Sequence, residues 1–185
     1  MRSIYYCSHC NSEVETFVRI SPETYEIKGE RVTVSSRVRV CNVCNAEIWD
    51  NELENESMIK VYNQYRDKHN LLRPERIKQI REKYSLTQSA FSKLLGLGEK
   101  TITRYENGAL QEKAQDNLIY LMDDLNAFSS IWNKNKACLS ITDIFKTEGR
   151  LVKLRFDLDW VKSNQKSEYK CNKYVYKSNG IKSRG

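Results

Sequence analysis

The sequence lacks any hydrophobic run long enough to cross a membrane. A spanning helix needs about 20 consecutive apolar residues, and the longest run here is of the kind LIYLM at 118–122. The opening residues MRSIYYCSHC also contain no apolar segment of the secretory type. We therefore expect a cytoplasmic protein with no membrane partner, in which structural disulfides are rare.

Catalytic motifs are lacking as well. The chain has only two histidines, far apart in sequence, and neither a phosphate-binding loop nor a nucleophile motif. Acid–base and nucleophilic catalysis need such groups to converge in one pocket. The sequence therefore offers no catalytic residue, and we expect a protein that is not an enzyme.

Positive charge is unevenly distributed along the chain. The net charge is +7, but residues 1–125 hold 18 Lys and Arg against 19 Asp and Glu, whereas residues 126–185 hold 13 against 5. A basic terminal segment is typical of loose attraction to nucleic acid. It is also typical of a solubilising surface, and both interpretations stay open.

The pattern of apolar residues predicts an α+β chain in four parts. Residues 1–49 alternate apolar and polar residues as strands do, with a hairpin turn at KGE, 28–30. Residues 50–72 have helical spacing, and residues 73–125 indicate several short helices. Residues 126–185 are predicted to be a helical and then basic C-terminal extension, loosely structured after about residue 165.

Individual apolar positions give finer expectations. In the second part, one helical stripe comprises Met58, Val61, Tyr62 and Tyr65. It belongs either to a linker helix or to a dimer interface. After Pro74, which suits a first helical position, the predicted buried face is Ile77, Ile80, Tyr84 and Leu86. A further helix is expected over about 113–125, and apolar residues of the extension predict one or two more, namely Phe128, Ile131, Trp132, Ile141, Ile144, Phe145 and Leu151.

Four of the six cysteines form two Cys-x-x-Cys pairs, CSHC at 7–10 and CNVCN at 41–45. Two such pairs brought together by strands can present four thiolates to one Zn²⁺ ion. A thioredoxin-like redox site needs a single pair at a strand-to-helix turn, which two matched pairs do not fit. An iron–sulfur cluster, which also accepts four thiolates, is the remaining alternative.

The predicted metal ligands are the four paired cysteines, Cys7, Cys10, Cys41 and Cys44. Four thiolates leave no open coordination position, so the zinc would be structural. The segment has few large apolar residues, and its fold should depend on the metal. We expect His9 to be a neighbour and not a ligand, and Cys138 to be a small core residue. Cys171 has no assigned role.

The stretch SLTQSAFSKLLGLGEKTITRYENG, residues 85–108, has the signals of two short helices joined by a tight turn. Thr87 can cap the first helix, and Gly96 can turn the chain left-handed. Gly98 can begin a second helix over 99–107. Such a unit places its second helix in the major groove of DNA. A plain helical hairpin with a solvated polar face is the alternative.

The second helix has a polar outer face if Ile102 and Tyr105 point inward, since successive residues are about 100° apart. Arginine suits the paired acceptors of guanine, asparagine suits adenine, and lysine and threonine serve base edges or phosphates. The predicted DNA-binding residues are Gln88 at the start of the first helix, and Lys100, Thr103, Arg104 and Asn107 on the second.

These residues resemble a known family. LTQSAFSKLLGLGEKTITRYENG is similar to the Xre/Cro-type helix-turn-helix, and together with the cysteine pairs the region of about 5–125 resembles the MqsA (YgiT) antitoxins. The resemblance implies a zinc-binding domain at 1–49, a connecting helix at 50–72 and a helix-turn-helix domain at 73–125. It further implies a nucleoid-associated homodimer that binds palindromic double-stranded DNA and represses its own operon. It also implies a toxin partner that is an mRNA endonuclease.

The resemblance assigns the four paired cysteines as zinc ligands and Arg104 as a base-reading residue. Lys100 stands where an asparagine reads bases in the well-studied member of the family, so the resemblance implies DNA binding but does not give the operator sequence. No toxin-contact residue can be transferred, and residues 126–185 lie beyond the resemblance. The alternatives are a stand-alone helix-turn-helix regulator, phage or bacterial, with no toxin partner, and a zinc-dependent protein-interaction adaptor.

Overall fold

A computed structural model describes residues 3–178, with the side chains of residues 3–159. One antiparallel sheet has the strand order β1-β2-β3-β4. The strands are β1 (Ser3–Cys7), β2 (Ser12–Ile27), β3 (Glu30–Cys41) and β4 (Glu47–Ile48). The α-helices that follow in the described part are α1 (Asn51–His69), α2 (Pro74–Lys83), α3 (Gln88–Leu94), α4 (Thr101–Glu106), α5 (Lys113–Leu121), α6 (Leu125–Asn135) and α7 (Ile141–Ser178). The predicted α+β class is confirmed.

The chain divides into two compact units by its internal contacts. The first unit holds the described residues up to Lys78 together with Thr103–Asp123. The second holds Gln79–Ile102 and the described residues from Asp124 onward. The three divisions therefore fall inside α2, inside α4, and between α5 and α6.

In the first unit, β2 and β3 form a long hairpin that turns at Lys28 and Gly29. Both residues have positive φ, 49° and 80°. Two-residue hairpin turns of this kind need positive φ, and glycine adopts it without strain. The register sets Ile27 opposite Glu30. The hairpin turn predicted at 28–30 is confirmed.

Helix α1 packs on one face of this hairpin. Its buried side chains recur every four residues, as Leu53, Ser57, Val61 and Tyr65. Val61 and Tyr65 share a core cluster with Val32 and Val34 of β3, and Tyr62 packs against it. Most of the predicted stripe on this helix is therefore used inside the first unit.

A nearly buried ion pair fixes the start of α1. Asp50 Oδ1 accepts hydrogen bonds from two backbone N–H groups of the first turn (3.0 and 3.3 Å), and Oδ2 accepts one from Arg39 Nε (2.6 Å). Their side chains are 7% and 11% exposed. Arg39 also donates to the Ser3 and Thr16 hydroxyls. One guanidinium thus joins three strands to the helix.

The second unit has a core of aromatic rings. Tyr84 and Phe128 stack with their centroids 3.4 Å apart, and Phe128 lies 6.0 Å from Trp132. Arg150 Nε of α7 donates to the Lys83 carbonyl (3.0 Å), which attaches α7 to the end of α2. Of the predicted buried residues, Ile80, Tyr84 and Leu86 are buried in this unit, and Ile77, which belongs to the first unit, is buried as well.

Two local expectations were wrong. The helix expected over about 113–125 ends at Leu121, because Asp124 caps the next helix by accepting two backbone N–H groups (2.9 and 2.8 Å). Cys138, expected in the core, is exposed. It ends a single 3-10 turn, and the neighbouring Leu139 is the residue buried there.

The loose structure expected after about residue 165 is contradicted as far as Ser178, where α7 ends. Between Gly149 and Gly180 the sequence contains neither glycine nor proline, so nothing in it breaks a helix. Residues 179–185 and the Cys171 side chain lie outside the described residues. None of the described helices has the length and apolarity that crossing a membrane requires.

Replacing Asp50 tests the ion pair. Asp50→Ala removes the helix cap and leaves Arg39 buried without its carboxylate, so we expect the free energy of unfolding to fall by about 3 kcal/mol. Asp50→Asn keeps a capping oxygen and should cost less. Chemical denaturation measures both. The control is Asp124→Asn, at a helix cap where the described residues place no cation. It should leave the free energy of unfolding nearly unchanged.

The same carboxylate predicts a pH dependence. Burial raises the pKa of Asp50, but hydrogen bonds from Arg39 and two backbone N–H groups outweigh it, so the net pKa is lowered. Because the pKa is lower in the folded state, the ionised carboxylate stabilises the fold at pH values above the unfolded-state pKa of about 3.9. This stabilisation is lost as the pH falls through the folded-state pKa. We expect the stability difference between wild type and Asp50→Asn to be constant above about pH 5 and to shrink below about pH 4. A difference that grows with acidification would contradict the assignment.

Candidate functional site

The four paired cysteines meet at one end of the sheet. Cys7 ends β1 and Cys41 ends β3, and a turn after each strand brings back Cys10 and Cys44. The asparagine that follows each pair is left-handed, with φ of 54° and 58°, so the two turns have the same form. All four Sγ atoms lie within 4.8 Å of one another.

The spacing of the sulfurs fits one tetrahedral ion. Cys7 Sγ lies 3.6 Å from Cys44 Sγ, and Cys10 Sγ lies 3.8 Å from Cys41 Sγ. Four Zn–S bonds of about 2.3 Å place sulfurs about 3.8 Å apart, whereas a disulfide needs about 2.05 Å. An iron–sulfur cluster attaches its thiolates to more than one iron and holds them further apart. The donor set therefore suits a single thiophilic ion such as zinc.

Backbone N–H groups point at the sulfurs. Those of Val43 and Cys44 approach Cys41 Sγ at 3.3 and 3.4 Å. The Cys44 N–H and, to a smaller extent, the Val43 N–H favour the thiolate form of Cys41. They outweigh burial, which raises the pKa, and the net pKa of Cys41 is lowered to about 7. The Cys44 thiol and burial raise the pKa of Cys10 to about 12. A bound ion would displace the protons that the thiols share.

Little else fills this end of the sheet. The buried cluster consists of Cys7, Val14 and Cys41, with Cys10, Cys44 and Ile48 packed against it. His9 lies in the first turn but is exposed and is not among the clustered side chains. The cysteines themselves therefore supply most of the local core.

The first helix of the helix-turn-helix stretch and the turn after it match the sequence signals. Thr87 Oγ1 accepts a backbone N–H of the first turn of α3 (3.1 Å). Gly96 has φ of 69°, and the Leu97 N–H donates to the Ser92 carbonyl (2.9 Å), as in helix ends built on a left-handed glycine. Ser92 Oγ also accepts the Ile102 N–H (3.3 Å), which ties the start of α4 to α3.

Helix α4 begins later than predicted, at Thr101 instead of residue 99. The Gly98 carbonyl accepts the Thr101 N–H (2.9 Å) and closes a turn ahead of the helix. Glu99 in that turn is held by the Ser89 hydroxyl (2.9 Å). Lys100 therefore precedes the helix, and the helical-wheel position predicted for it does not apply.

The predicted DNA-binding residues lie on or beside these two helices. Arg104 and Asn107 are exposed, as is Lys100, while Ile102 and Tyr105 are buried. Thr103 on α4 and Gln88 at the start of α3 are half-buried. α4 thus has an apolar buried side and a polar exposed side, as expected.

Sequence reasoning missed the residue that holds the end of α4. The helix ends at a left-handed Gly108 (φ 100°), with the Ala109 N–H donating to the Arg104 carbonyl (2.9 Å). Arg66 of α1 is 2% exposed and donates to the carbonyls of Gly108 (2.6 Å) and Ala109 (3.3 Å). Burial lowers the Arg66 pKa. Its only sequence signal is a charge directly beside Tyr65 of the apolar stripe.

Comparison with known families agrees with the geometry. A family model described as the antitoxin component MqsA of bacterial toxin–antitoxin systems matches residues 5–132. Because the match spans well over half of the chain, the protein belongs to the MqsA antitoxin family. No individual curated protein matches the chain. The family predicted from the cysteine pairs and the helix-turn-helix stretch is confirmed, and nearly all of the extension lies outside the matched region.

Metal content tests the cysteine cluster. We expect the purified protein to hold one metal ion per chain and Cys41→Ser to lose most of it, because three thiolates no longer close the tetrahedral shell. Elemental mass spectrometry measures the ion, and circular dichroism after chelation should show loss of strand signal. Cys138→Ser, which removes an exposed thiol outside the cluster, should change neither. A wild-type protein without metal would contradict the assignment.

Proposed function

We propose that this member of the MqsA antitoxin family is a DNA-binding transcriptional repressor that regulates its own operon and neutralises the toxin encoded with it. The observation that carries the proposal is α4. Its Arg104 and the Asn107 that directly follows it are exposed, while its Ile102 and Tyr105 are buried, and both of its ends are fixed by hydrogen bonds. The family match supports the antitoxin role.

The roles of the DNA-binding residues follow from their chemistry. Arg104 would donate two hydrogen bonds to guanine O6 and N7, and Asn107 would pair with adenine. Lys100, Thr103 and Gln88 would contact phosphates or base edges, which sets the register on the duplex. Phosphate contacts would make the binding salt-sensitive.

Repression would be steric and would need two copies of the chain. A homodimer sets two α4 helices in successive major grooves, about 34 Å apart, over a palindromic operator in the promoter. In this proposal residues 73–125 form the DNA-binding domain and residues 1–49 the zinc domain, with residues 50–72 connecting them. The protein would act in the cytoplasm, at the nucleoid.

The toxin, an mRNA endonuclease, would bind at residues 1–49 or at α1. Structural Zn²⁺ on the four cysteines would hold that region folded. α1 packs on the hairpin through Val61 and Tyr65 and reaches the end of α4 through Arg66. Toxin and operator would therefore influence each other's affinity reciprocally.

Operator binding tests the DNA-binding half of the proposal. We expect Arg104→Ala to weaken binding to DNA from upstream of the gene by about 10- to 100-fold at fixed salt, since a bidentate base contact is lost. Binding to scrambled DNA should change much less. Fluorescence anisotropy measures both, with Lys134→Ala as a control that removes one exposed positive charge outside the predicted site. Wild-type binding that ignores sequence would overturn the repressor proposal.

The antitoxin half is tested separately by co-expression. The product of the neighbouring gene should arrest growth alone, and this chain should relieve the arrest. Operator binding without a toxic neighbour would favour the stand-alone regulator. No operator binding, together with a metal-dependent protein partner, would favour the adaptor.

A further inference from the structure

The second half of helix α7 has its lysines on one face. The backbone is helical as far as Ser178, and the lysines between Trp160 and Ser178 follow one another at intervals of four, four, three and four positions. At about 100° per residue they fall within an arc of about 80°. This row, the lysine stripe, consists of Lys162, Lys166, Lys170, Lys173 and Lys177.

The sequence of α7 offers the lysine stripe few acidic neighbours. Glu168 is the one acidic residue between Trp160 and Ser178, and it falls about 160° from the middle of the stripe. Asp159 lies three positions before Lys162 and can pair with that lysine of the stripe alone. Each of the other four lysines has no acidic residue three or four positions away. Most of the stripe is therefore not neutralised within the helix.

The lysine stripe also destabilises its own helix. Three pairs of its lysines are four positions apart, and Lys170 is three positions before Lys173. Like charges at these spacings repel each other on a helix, whereas a solvated helix commonly mixes both signs along one face. A polyanion bound along the stripe would replace this repulsion by attraction. The charge pattern therefore favours an extended anionic ligand.

The length of the lysine stripe suits a polymer of phosphates. Lys162 and Lys177 are 15 positions apart, which corresponds to about 22 Å along a helix. Duplex DNA carries one negative charge per about 1.7 Å of its axis, so it can neutralise every lysine of the row at once. A single small anion would reach only one or two of them.

The opposite face of the helix argues against a membrane surface as the ligand. A helix that lies on a membrane needs an apolar face, with residues such as Trp, Phe and Leu, opposite its basic one. The residues opposite the lysine stripe are Val161, Asn164, Glu168, Cys171 and Val175. They include none of the large apolar types, so the pattern favours a nucleic acid over a lipid surface.

Helix α7 belongs to the unit that carries the first helix of the helix-turn-helix stretch. It is attached to the end of α2 through Arg150, and Asn135 Nδ2 of α6 donates to the Leu94 carbonyl at the end of α3 (2.8 Å). The same second unit holds Gln88 and Lys100. DNA held by those residues would therefore be bound by the unit from which the lysine stripe extends.

We propose that the lysine stripe is a second nucleic-acid site, which binds the phosphate backbone of double-stranded DNA without reading its sequence. The site lies outside residues 5–132, the region that the family model matches, and so gives the extension a role of its own. The choice of DNA as the polymer rests on the proposed function, whereas the affinity for phosphates rests on the charge pattern of α7. Base contacts from α4 and phosphate contacts from α7 would then divide specificity and affinity between them.

The salt dependence of binding to scrambled duplex DNA tests the lysine stripe. The full-length, metal-bound chain is compared with a variant that combines Lys166→Gln, Lys170→Gln and Lys173→Gln, since glutamine has about the helix propensity of lysine. We expect the variant to bind about 10- to 100-fold more weakly at about 0.1 M salt. The slope of log K against log salt should become shallower by about 2.7, because each phosphate contact contributes about 0.9. Fluorescence anisotropy measures both quantities.

A matched control removes three positive charges elsewhere in the extension. It combines Lys134→Gln, Lys146→Gln and Lys153→Gln, at exposed positions outside the lysine stripe, and should change affinity and slope much less. Replacing the same three stripe lysines by arginine keeps the charge and should keep the binding. Unchanged binding in the stripe variant, or an equal loss in the control, would overturn the proposal.

Two further probes distinguish DNA from other sources of phosphate. Single-stranded RNA of mixed sequence should bind the wild type more weakly than the duplex at the same salt, because its charge density is lower and fewer counterions are released per contact. Vesicles of phosphatidylglycerol and phosphatidylcholine should bind no better to the wild type than to the stripe variant. Binding to RNA or to vesicles that is tighter than binding to the duplex and is lost in the stripe variant would contradict the assignment to DNA.

The two proposals can fail independently. Arg104→Ala should lower the preference for operator over scrambled DNA, whereas the stripe variant should weaken binding to both and leave the preference unchanged. Operator recognition that depends on Arg104 but not on the lysine stripe would retain the repressor and refute the second site. Duplex binding that depends on the stripe, with no preference for operator, would retain the second site and refute the repressor.

Discussion

The N-terminal end of the sheet depends on bringing four thiols to one point. Farther along the hairpin, Val32 and Val34 are covered by α1, so ordinary burial of apolar area stabilises that part. At the thiol end the buried cluster consists mainly of cysteines. Thiols held 3.6 to 3.8 Å apart in pairs gain little from burial alone, whereas an ion bound to all four makes binding free energy available to folding.

The first unit then connects this end to α4 through one helix. Arg39, two residues before Cys41, holds the Asp50 carboxylate that starts α1. α1 is 19 residues, or about 28 Å, long. Near its other end, Arg66 donates to the Gly108 carbonyl just after α4. Two nearly buried arginines thus attach the two ends of α1, and neither can lose its partner cheaply, because an unpaired buried charge is strongly destabilising.

Features set by local chemistry were predictable from the sequence. The turn at Gly29, the cap at Thr87 and the left-handed Gly96 each follow from one residue's conformational preference. The grouping of Cys7 with Cys41 followed from ligand spacing. The salt bridge between Arg39 and Asp50 could not be predicted, because two residues 11 positions apart meet only through the way the strand and the helix pack. The start of α4 shifted for a similar reason, since Ser89 holds Glu99 out of the helix.

Helix α7 shows a different limit of sequence patterns. The apolar residues Ile141 and Phe145 correctly indicate a helix, as does Leu151, but a pattern does not show which side the chain itself will cover. The structure buries Leu151 and leaves the other two exposed. The pattern of apolar residues therefore predicts the helix itself, whereas the side that becomes buried depends on how the rest of the chain packs against it.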